Sequence, residues 1–170
     1  MGVTINVVCL DFIRDTLPEG KTILEFGSGL GTTWLGESFN MYSVENQPEW
    51  VDAYPKSTTY INCRSKMYDE TYTVPSEFPN DKGWYHPDDL FPKLPSHYDL
   101  MLIDGPGGWR HGWGRGGFFK HIDKFNTSVP MVFDDIDRPD ELRLIKEVSN
   151  YLGKKYIILE DGATGVINND

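Results

Sequence analysis

The fold of this chain is decided by the stretch Ile23-Leu24-Glu25-Phe26-Gly27-Ser28-Gly29-Leu30-Gly31-Thr32. The pattern indicates a buried strand, then three glycines at alternate positions and the start of a helix. A strand that turns sharply into a helix offers bare backbone to a ligand, and glycine permits both the turn and the close approach. The dinucleotide pattern G-x-G-x-x-G is not met, because position 32 is Thr.

Length and composition predict a single α/β domain over residues 1–170, with 39% hydrophobic residues. The net charge of −10 disfavours a nucleic-acid partner. No apolar run approaches the roughly 20 residues that span a membrane, so we expect no membrane partner. The N-terminus lacks the features of a signal peptide. Two cysteines, Cys9 and Cys63, cannot form a disulfide framework, and we expect a reducing, cytoplasmic location.

Strand-like and helix-like segments alternate along the chain, which predicts a parallel sheet with helices on both faces. Predicted strands cover 22–26, 41–45, 58–62, 98–104 and 130–134, and a closing hairpin covers 155–160 and 163–168. Predicted helices cover 6–17, 31–38, a segment that begins near Pro48, 116–125 and 138–152.

Two irregular segments interrupt this alternation. Residues 64–97 contain five prolines and several aromatic side chains, and they form a long insertion for a compact domain. Such a segment is a substrate lid or is disordered, and its aromatic residues favour an ordered cover. Residues 105–117 form a second, glycine-rich segment directly after a strand.

Acidic residues follow several of the predicted strands. In an open parallel sheet, ligands bind beyond the carboxyl ends of the strands. The residues at those ends are Glu25, Glu45, Asn62, Asp104, Asp134 and Asp135. Five acids at one edge repel one another unless cations or hydroxyl groups lie between them, so the pattern favours a binding site.

The glycine stretch resembles motif I of the class I S-adenosylmethionine (SAM)-dependent methyltransferases, E/D-x-G-x-G-x-G. The resemblance implies a Rossmann-like, doubly wound, seven-stranded and mostly parallel sheet with helices on both faces and an antiparallel last strand. It also implies that Gly27, Ser28 and Gly29 lie under the methionine portion of SAM, with Glu25 close to its amino group. Gly31 completes this cofactor-binding set.

The resemblance extends to three further cofactor positions. Glu45 can accept two hydrogen bonds from a ribose diol, as acids do at this place in nucleotide-binding folds generally. The alternative is a solvated acid near a helix N-terminus. Asn62 matches the region that contacts adenine in the family, and Asp104 lies where the cofactor meets the acceptor.

Asp104 is followed by Gly105-Pro106, which lacks the second proline and the aromatic residue of nucleic-acid amino-methyltransferases. Asp-Gly-Pro instead looks like a motif of polysaccharide and small-molecule O-methyltransferases. Resemblance to the metal-dependent O-methyltransferases assigns a metal to Asp104, Asp134 and Asp135. Three carboxylates suit a hard ion such as Mg²⁺. Alternatively, Asp134, Asp135 and Asp137 only cap and charge the helix that follows them.

Residues near Asp104 supply candidates for catalysis and acceptor binding. A divalent ion lowers the pKa of an acceptor hydroxyl, and a nearby base completes its deprotonation. His111 is the candidate base, and Asp104 is the second catalytic candidate. Arg110 and Arg115 can hold an anionic group of the acceptor. The aromatic residues Trp109 and Trp113 can stack on a sugar ring or anchor the loop.

We therefore expect a SAM-dependent O-methyltransferase that acts on a sugar or glycan hydroxyl with help from a divalent metal. A second hypothesis is metal-independent methylation of another small molecule. A third is a SAM-binding module of a larger glycan-modifying protein. A nicotinamide-dependent dehydrogenase is the rival for the cofactor, and the absent sixth-position glycine counts against it.

Overall fold

A seven-stranded sheet forms the centre of the computed structural model, which describes residues 4–54, 57–72, 83–107 and 115–169. The strands of the described chain are β1 Thr22–Phe26, β2 Asn40–Glu45, β3 Thr58–Asn62, β4 Ser65–Met67, β5 Gly83–Tyr85, β6 Leu100–Ile103, β7 Met131–Phe133, β8 Tyr156–Ile158 and β9 Gly165–Ile167. The order in the sheet is β3-β2-β1-β6-β7-β9-β8. Strand β9 runs in the direction opposite to that of the other six strands. The predicted sheet, including its antiparallel last strand, is confirmed.

Helices cover both faces of this sheet. They are α1 Val7–Thr16, α2 Leu30–Gly36, α3 Pro87–Leu90, α4 Gly116–Lys120 and α5 Pro139–Leu152. The first helix begins where the Asn6 side chain accepts the Cys9 N–H at 2.9 Å, and α5 ends at Gly153 in the left-handed conformation. Among the helices of the described ranges, none is long and apolar enough to cross a membrane.

Side chains of the central strands alternate between two apolar layers. On β1, Ile23 packs toward α1 and α2, whereas Leu24 and Phe26 pack toward α4 and α5. Both faces of the strand are buried, as expected for a parallel sheet that is covered on both sides. Glu25 shares the face of Ile23, because successive side chains of a strand point to opposite faces. The alternation therefore places one acid inside the layer of α1 and α2.

The described part of the 64–97 segment contributes to the core. Strands β4 and β5 form a separate antiparallel ribbon, and Trp84 and Tyr85 on β5 are fully buried. The Phe26 ring lies 5.9 Å from Trp84 and 6.1 Å from Tyr85, measured between ring centroids. Aromatic side chains of this segment thus complete the layer on one face of the sheet. Residues 73–82 lie outside the described residues.

The helix predicted near Pro48 is wrong. Residues 48–54 form successive turns between β2 and β3, and Asp52 adopts a positive φ of 58°. A left-handed residue interrupts the helical hydrogen-bond pattern, since L-residues extend an α-helix only in the right-handed region. The described residues 48–54 therefore contribute turns to the connection between two parallel strands.

Gly117 provides a test of the packing between the ribbon and α4. A Cβ at Gly117 would overlap the ring of buried Trp84, so Gly117→Ala should destabilise the protein by about 1–3 kcal/mol. Urea unfolding would measure the change. In the control Gly107→Ala, the added Cβ meets, among the described residues, the Gln47 side-chain nitrogen at 3.4 Å, and stability should change by less than about 0.5 kcal/mol. Equal losses in the two variants would contradict this account of Gly117.

Candidate functional site

The glycine loop between β1 and α2 lies directly against the loop that follows β6. Gly27 has a φ of 94°, and a Cβ there would lie 2.9 Å from the Cα of Gly105. Gly31 instead faces the chain before α1, because its Cβ would lie 2.7 Å from Cγ1 of Ile5. The first glycine therefore allows two loops to touch, and the third allows a helix to pack closely.

Glu25 is buried beneath the glycine loop and is held by hydroxyl groups. Its Oε2 accepts hydrogen bonds from Thr32 Oγ1 at 2.7 Å and from Ser43 Oγ at 2.6 Å. Burial raises the pKa of Glu25 to about 7, and the two hydroxyl donors oppose that rise. Glu25 is 1% exposed, and its hydrogen bond from Thr32 connects it to the start of α2, directly after the glycine loop. Its predicted place near the amino group of SAM stays a prediction.

Glu45 connects the glycine loop with the turns after β2. Its Oε2 accepts the Ser28 N–H at 2.9 Å, and its Oε1 accepts the N–H groups of Asn46 and Gln47 at 2.7 and 2.8 Å. Burial raises the pKa of Glu45, and these three donors oppose the rise. Asn62 is the register partner of Glu45 on β3 and is exposed. The two residues thus lie side by side, as their predicted contacts with one nucleoside require.

Three aspartates converge beyond β6 and β7. Asp104, Asp134 and Asp135 each offer a carboxylate oxygen, and these oxygens lie within 4.8 Å of one another. Asp135 adopts a φ of 62°, and α5 starts only at Pro139, after Arg138. Asp134 and Asp135 therefore do not cap that helix. The chain brings the three predicted metal ligands together at one edge of the sheet.

Arg115 lies among these carboxylates and is 2% exposed. Its Nη2 contacts Asp135 Oδ2 at 2.7 Å and Asp104 Oδ1 at 3.4 Å, and its Nη1 donates to the Asp134 carbonyl at 2.8 Å. The Nε lies 3.9 Å from Glu141 Oε1. Arg115 is thus an internal counter-ion of the cluster, and the predicted contact with an acceptor is wrong because the guanidinium is buried and engaged.

Charge in the cluster is incompletely balanced. Burial and the neighbouring carboxylates raise the pKa of Asp134 to about 6, although Arg115 opposes the rise. The same causes hold the pKa of Asp104 well above its usual range, and burial raises that of Glu141. Oxygen donors carrying surplus negative charge are the set that Mg²⁺ prefers. The residues therefore fit a divalent ion, with Arg115 beside it.

Sequence reasoning missed two members of this cluster. The sequence predicts that Arg115 binds the acceptor, and no sequence pattern points to Glu141. Glu141 lies in the first turn of α5, where acids are common for electrostatic reasons alone, so its position gave no distinct signal. The candidate base His111, together with Arg110, Trp109 and Trp113, lies outside the described residues.

A separate cleft of about 470 Å³ lies at the opposite edge of the sheet. It is lined by residues at the amino ends of β1 to β3, among them Thr22, Asn40 and Thr58. Ligands of open parallel sheets bind at the carboxyl ends of the strands. We therefore place the candidate site at the carboxyl edge, where the acids and glycines converge, and not at this cleft.

Solved structures of methyltransferases share this fold. Precorrin-6y C5,15-methyltransferase from Geobacter metallireducens GS-15 is 11% identical, with a TM-score of 0.56 over 97% of this chain and 91% of that chain. A methyltransferase-like protein from Silicibacter pomeroyi DSS-3 is 19% identical, with a TM-score of 0.56 over 97% and 86%. The chain has the fold of the methyltransferases.

MycE methyltransferase from the mycinamycin biosynthetic pathway, in complex with Mg and SAH, is 14% identical with a TM-score of 0.53. The match covers 93% of this chain and 44% of that chain, so the chain spans less than half of MycE. No protein-family model and no curated protein matches the sequence. At these identities the likeness concerns the fold alone.

The raised pKa of Glu25 predicts a pH-dependent stability. When the pKa of an acid is higher in the folded protein than in the unfolded chain, the protein loses stability as the pH rises between the two pKa values. For Glu25 this window extends from about 4.5 to about 7. Between pH 5 and pH 8 the wild-type protein should lose about 2–3 kcal/mol relative to Glu25→Gln. Urea unfolding at both pH values measures the difference. Parallel pH profiles for the two proteins would refute the assignment.

Removal of the Arg115 cation should be strongly destabilising. Arg115→Gln leaves buried carboxylates without their counter-ion, and we expect a loss of about 3–5 kcal/mol at pH 8. The loss should shrink at pH 5, where the acids can take up protons. Chemical unfolding at both pH values tests this. The control Arg64→Gln removes an exposed ion pair with Asp89 and should have a much smaller effect at either pH.

Proposed function

We propose that this protein is a SAM-dependent O-methyltransferase that acts on a sugar or glycan hydroxyl with the help of a divalent ion. The contact between Gly27 and Gly105 carries the proposal, because it joins the glycine loop to the loop of Asp104. A methyl donor on the first loop would lie beside an acceptor hydroxyl held at the aspartates. Methyl transfer needs this adjacency, since donor and acceptor must meet in line.

Two similar structures support the choice of acceptor and ion. MycE was solved with Mg and SAH, and CalS11 is described as a TDP-rhamnose 3'-O-methyltransferase in calicheamicin biosynthesis. CalS11 is 12% identical with a TM-score of 0.50 over 94% of this chain and 75% of that chain. The Asp-Gly-Pro sequence after β6 points to the same class of O-methyltransferase.

The cofactor end of the site would be formed by the glycine loop and Glu45. The backbone of the glycine loop would lie under the methionine portion, and Glu45 would accept from the ribose diol. Glu45 now accepts from three backbone N–H groups, which holds its carboxylate at a fixed place at the sheet edge. Asn62 would lie beside the adenine. Glu25 would keep Thr32 and the loop in position.

The acceptor end would be formed by the aspartates. Asp104, Asp134 and Asp135 would hold a divalent ion. When bound, such an ion would lower the pKa of the acceptor hydroxyl and fix its orientation. Arg115 limits the repulsion between the carboxylates, so that the cluster keeps its shape. His111 is the proposed base that takes the proton from the acceptor hydroxyl.

A metal-independent transfer is the second candidate, and the position of Arg115 favours it. The guanidinium already places a fixed positive charge between Asp104 and Asp135. The remaining negative charge lets the cluster accept a proton, so that Asp104, or alternatively His111, would serve as the base that takes the proton from the acceptor hydroxyl. A SAM-binding module of a larger glycan-modifying protein is the non-enzymatic alternative, which binds SAM without transfer.

The proposal is tested in two steps. A thermal-shift comparison of SAM with NAD identifies the cofactor, because only a ligand of the native state raises the melting temperature. A set of saccharide acceptors is then incubated with SAM, with Mg²⁺ or with EDTA, and examined for a methyl gain by mass spectrometry. Transfer that survives EDTA selects the metal-independent candidate. SAM binding without any transfer selects the binding module, and stabilisation by NAD alone refutes the proposal.

Single amide substitutions separate the two ends of the site. Asp134→Asn and Asp104→Asn should each abolish transfer, because they weaken the ion site, while the affinity for SAM stays within about threefold. Calorimetric titration with SAM and the mass-spectrometric assay measure the two effects. Asp137→Asn is the matched control, since Asp137 is exposed and lies outside the cluster. Full activity in both cluster variants would rule out the metal assignment.

A further inference from the structure

Ser28 makes contacts with the polar side chains of Glu45 and Tyr60, and Tyr60 has no role in the proposed function. Its N–H donates to Glu45, and its hydroxyl lies 3.0 Å from the hydroxyl of Tyr60. Tyr60 is on β3, two strands away from β1, and its side chain is half-buried. A tyrosine in a strand is ordinarily a packing residue, so its position in the sequence carries no signal of this role.

Tyr60 also holds the turns that replace the expected helix after β2. Its hydroxyl oxygen accepts the Tyr54 N–H at 3.1 Å. The Tyr54 ring stacks on Trp50 with centroids 6.2 Å apart, so the hydrogen bond secures an aromatic pair as well as the backbone. One phenol hydroxyl therefore joins the glycine loop and the turns after β2. These are the two loops that border the proposed cofactor site.

Strand register explains how Tyr60 reaches this position. Glu25, Ser43 and Tyr60 are register partners on the adjacent strands β1, β2 and β3. Since paired residues of adjacent strands point to the same face, all three lie on the face that α2 covers. Thr32 and Ser28 close the network from the loop side, because Thr32 donates to Glu25 and its hydroxyl lies 3.5 Å from that of Ser28.

We propose that Tyr60 is a positioning residue for the cofactor, acting through Ser28 and Tyr54 to hold the two bordering loops together. This inference rests on the proposed function for its ligand, a SAM-type nucleoside. Loss of the phenol hydroxyl would leave the ring in place and free Ser28 and Tyr54 from each other. Cofactor binding would then have to order both loops, which weakens affinity.

Tyr60→Phe is the test, and Tyr98→Phe is its matched control. The Tyr98 hydroxyl accepts the Asn126 N–H at 2.6 Å and lies before β6, at the amino-terminal edge of the sheet. Both variants therefore lose a tyrosine hydroxyl that accepts one backbone N–H. Calorimetry with S-adenosylhomocysteine (SAH) should show a dissociation constant about three- to tenfold higher in Tyr60→Phe and unchanged in Tyr98→Phe.

Hydrogen exchange without ligand gives an independent readout. Backbone amides of the glycine loop and of residues 48–54 should exchange faster in Tyr60→Phe, and those of both loops should be unaffected in Tyr98→Phe. The double variant with Ser28→Ala and Tyr60→Phe should weaken SAH binding by less than the sum of the two single effects, because the tyrosine acts partly through that serine.

The outcomes distinguish this inference from the proposed function. Wild-type affinity for SAH in Tyr60→Phe overturns the inference and leaves the proposed function intact, as does an additive effect of the double variant. Absence of SAH binding by the wild-type protein overturns the proposed function and with it the role in cofactor binding. Equal affinity losses in Tyr60→Phe and Tyr98→Phe show a general loss of stability and also overturn the inference.

Discussion

Buried negative charge at the ends of β6 and β7 is the constraint on which the rest of this structure depends. Parallel strands end at a common edge, so the acids that follow them are forced together. A carboxylate loses hydration on burial and is repelled by its neighbours, unless a cation lies close by. Arg115 is that cation in the described structure, and it binds side chains and backbone carbonyls alike. The start of α4 and the loop before α5 are fixed by these contacts.

The same edge holds a second polar arrangement, in which hydrogen-bond donors hold two buried carboxylates. Glu25 is buried against hydroxyl groups, and its pKa of about 7 follows from burial. Glu45 is satisfied by backbone N–H groups. The two arrangements meet where Gly27 touches Gly105, and the absence of side chains there allows the contact. A hydrogen-bonded loop and the loop of a charged cluster thus lie side by side, which is the basis of the proposed methyl transfer.

Much of the sheet follows from local sequence patterns. The apolar run before Gly27 and the run before Asp104 predicted β1 and β6, because both strands are buried on two faces. A proline such as Pro48 is tolerated early in a helix, but the segment after it forms turns, with Asp52 in a left-handed conformation. Residues 64–97 have no periodicity, and Trp84 and Tyr85 are buried through long-range packing on side chains such as Phe26. Long-range contacts of this kind leave no periodic signal.

The sequence by itself determined the strand–loop–helix of the glycine stretch and the set of acids that follow the strands. Both are local: glycine spacing and strand ends can be read along the chain. Tertiary structure decided which groups neutralise and orient those acids. Arg115 lies 11 residues after Asp104 along the chain and joins the same cluster, and Tyr60 reaches Ser28 across two strands. Such partners are set by strand register and by the energetic penalty of unpaired buried charge, which act only once the chain has folded.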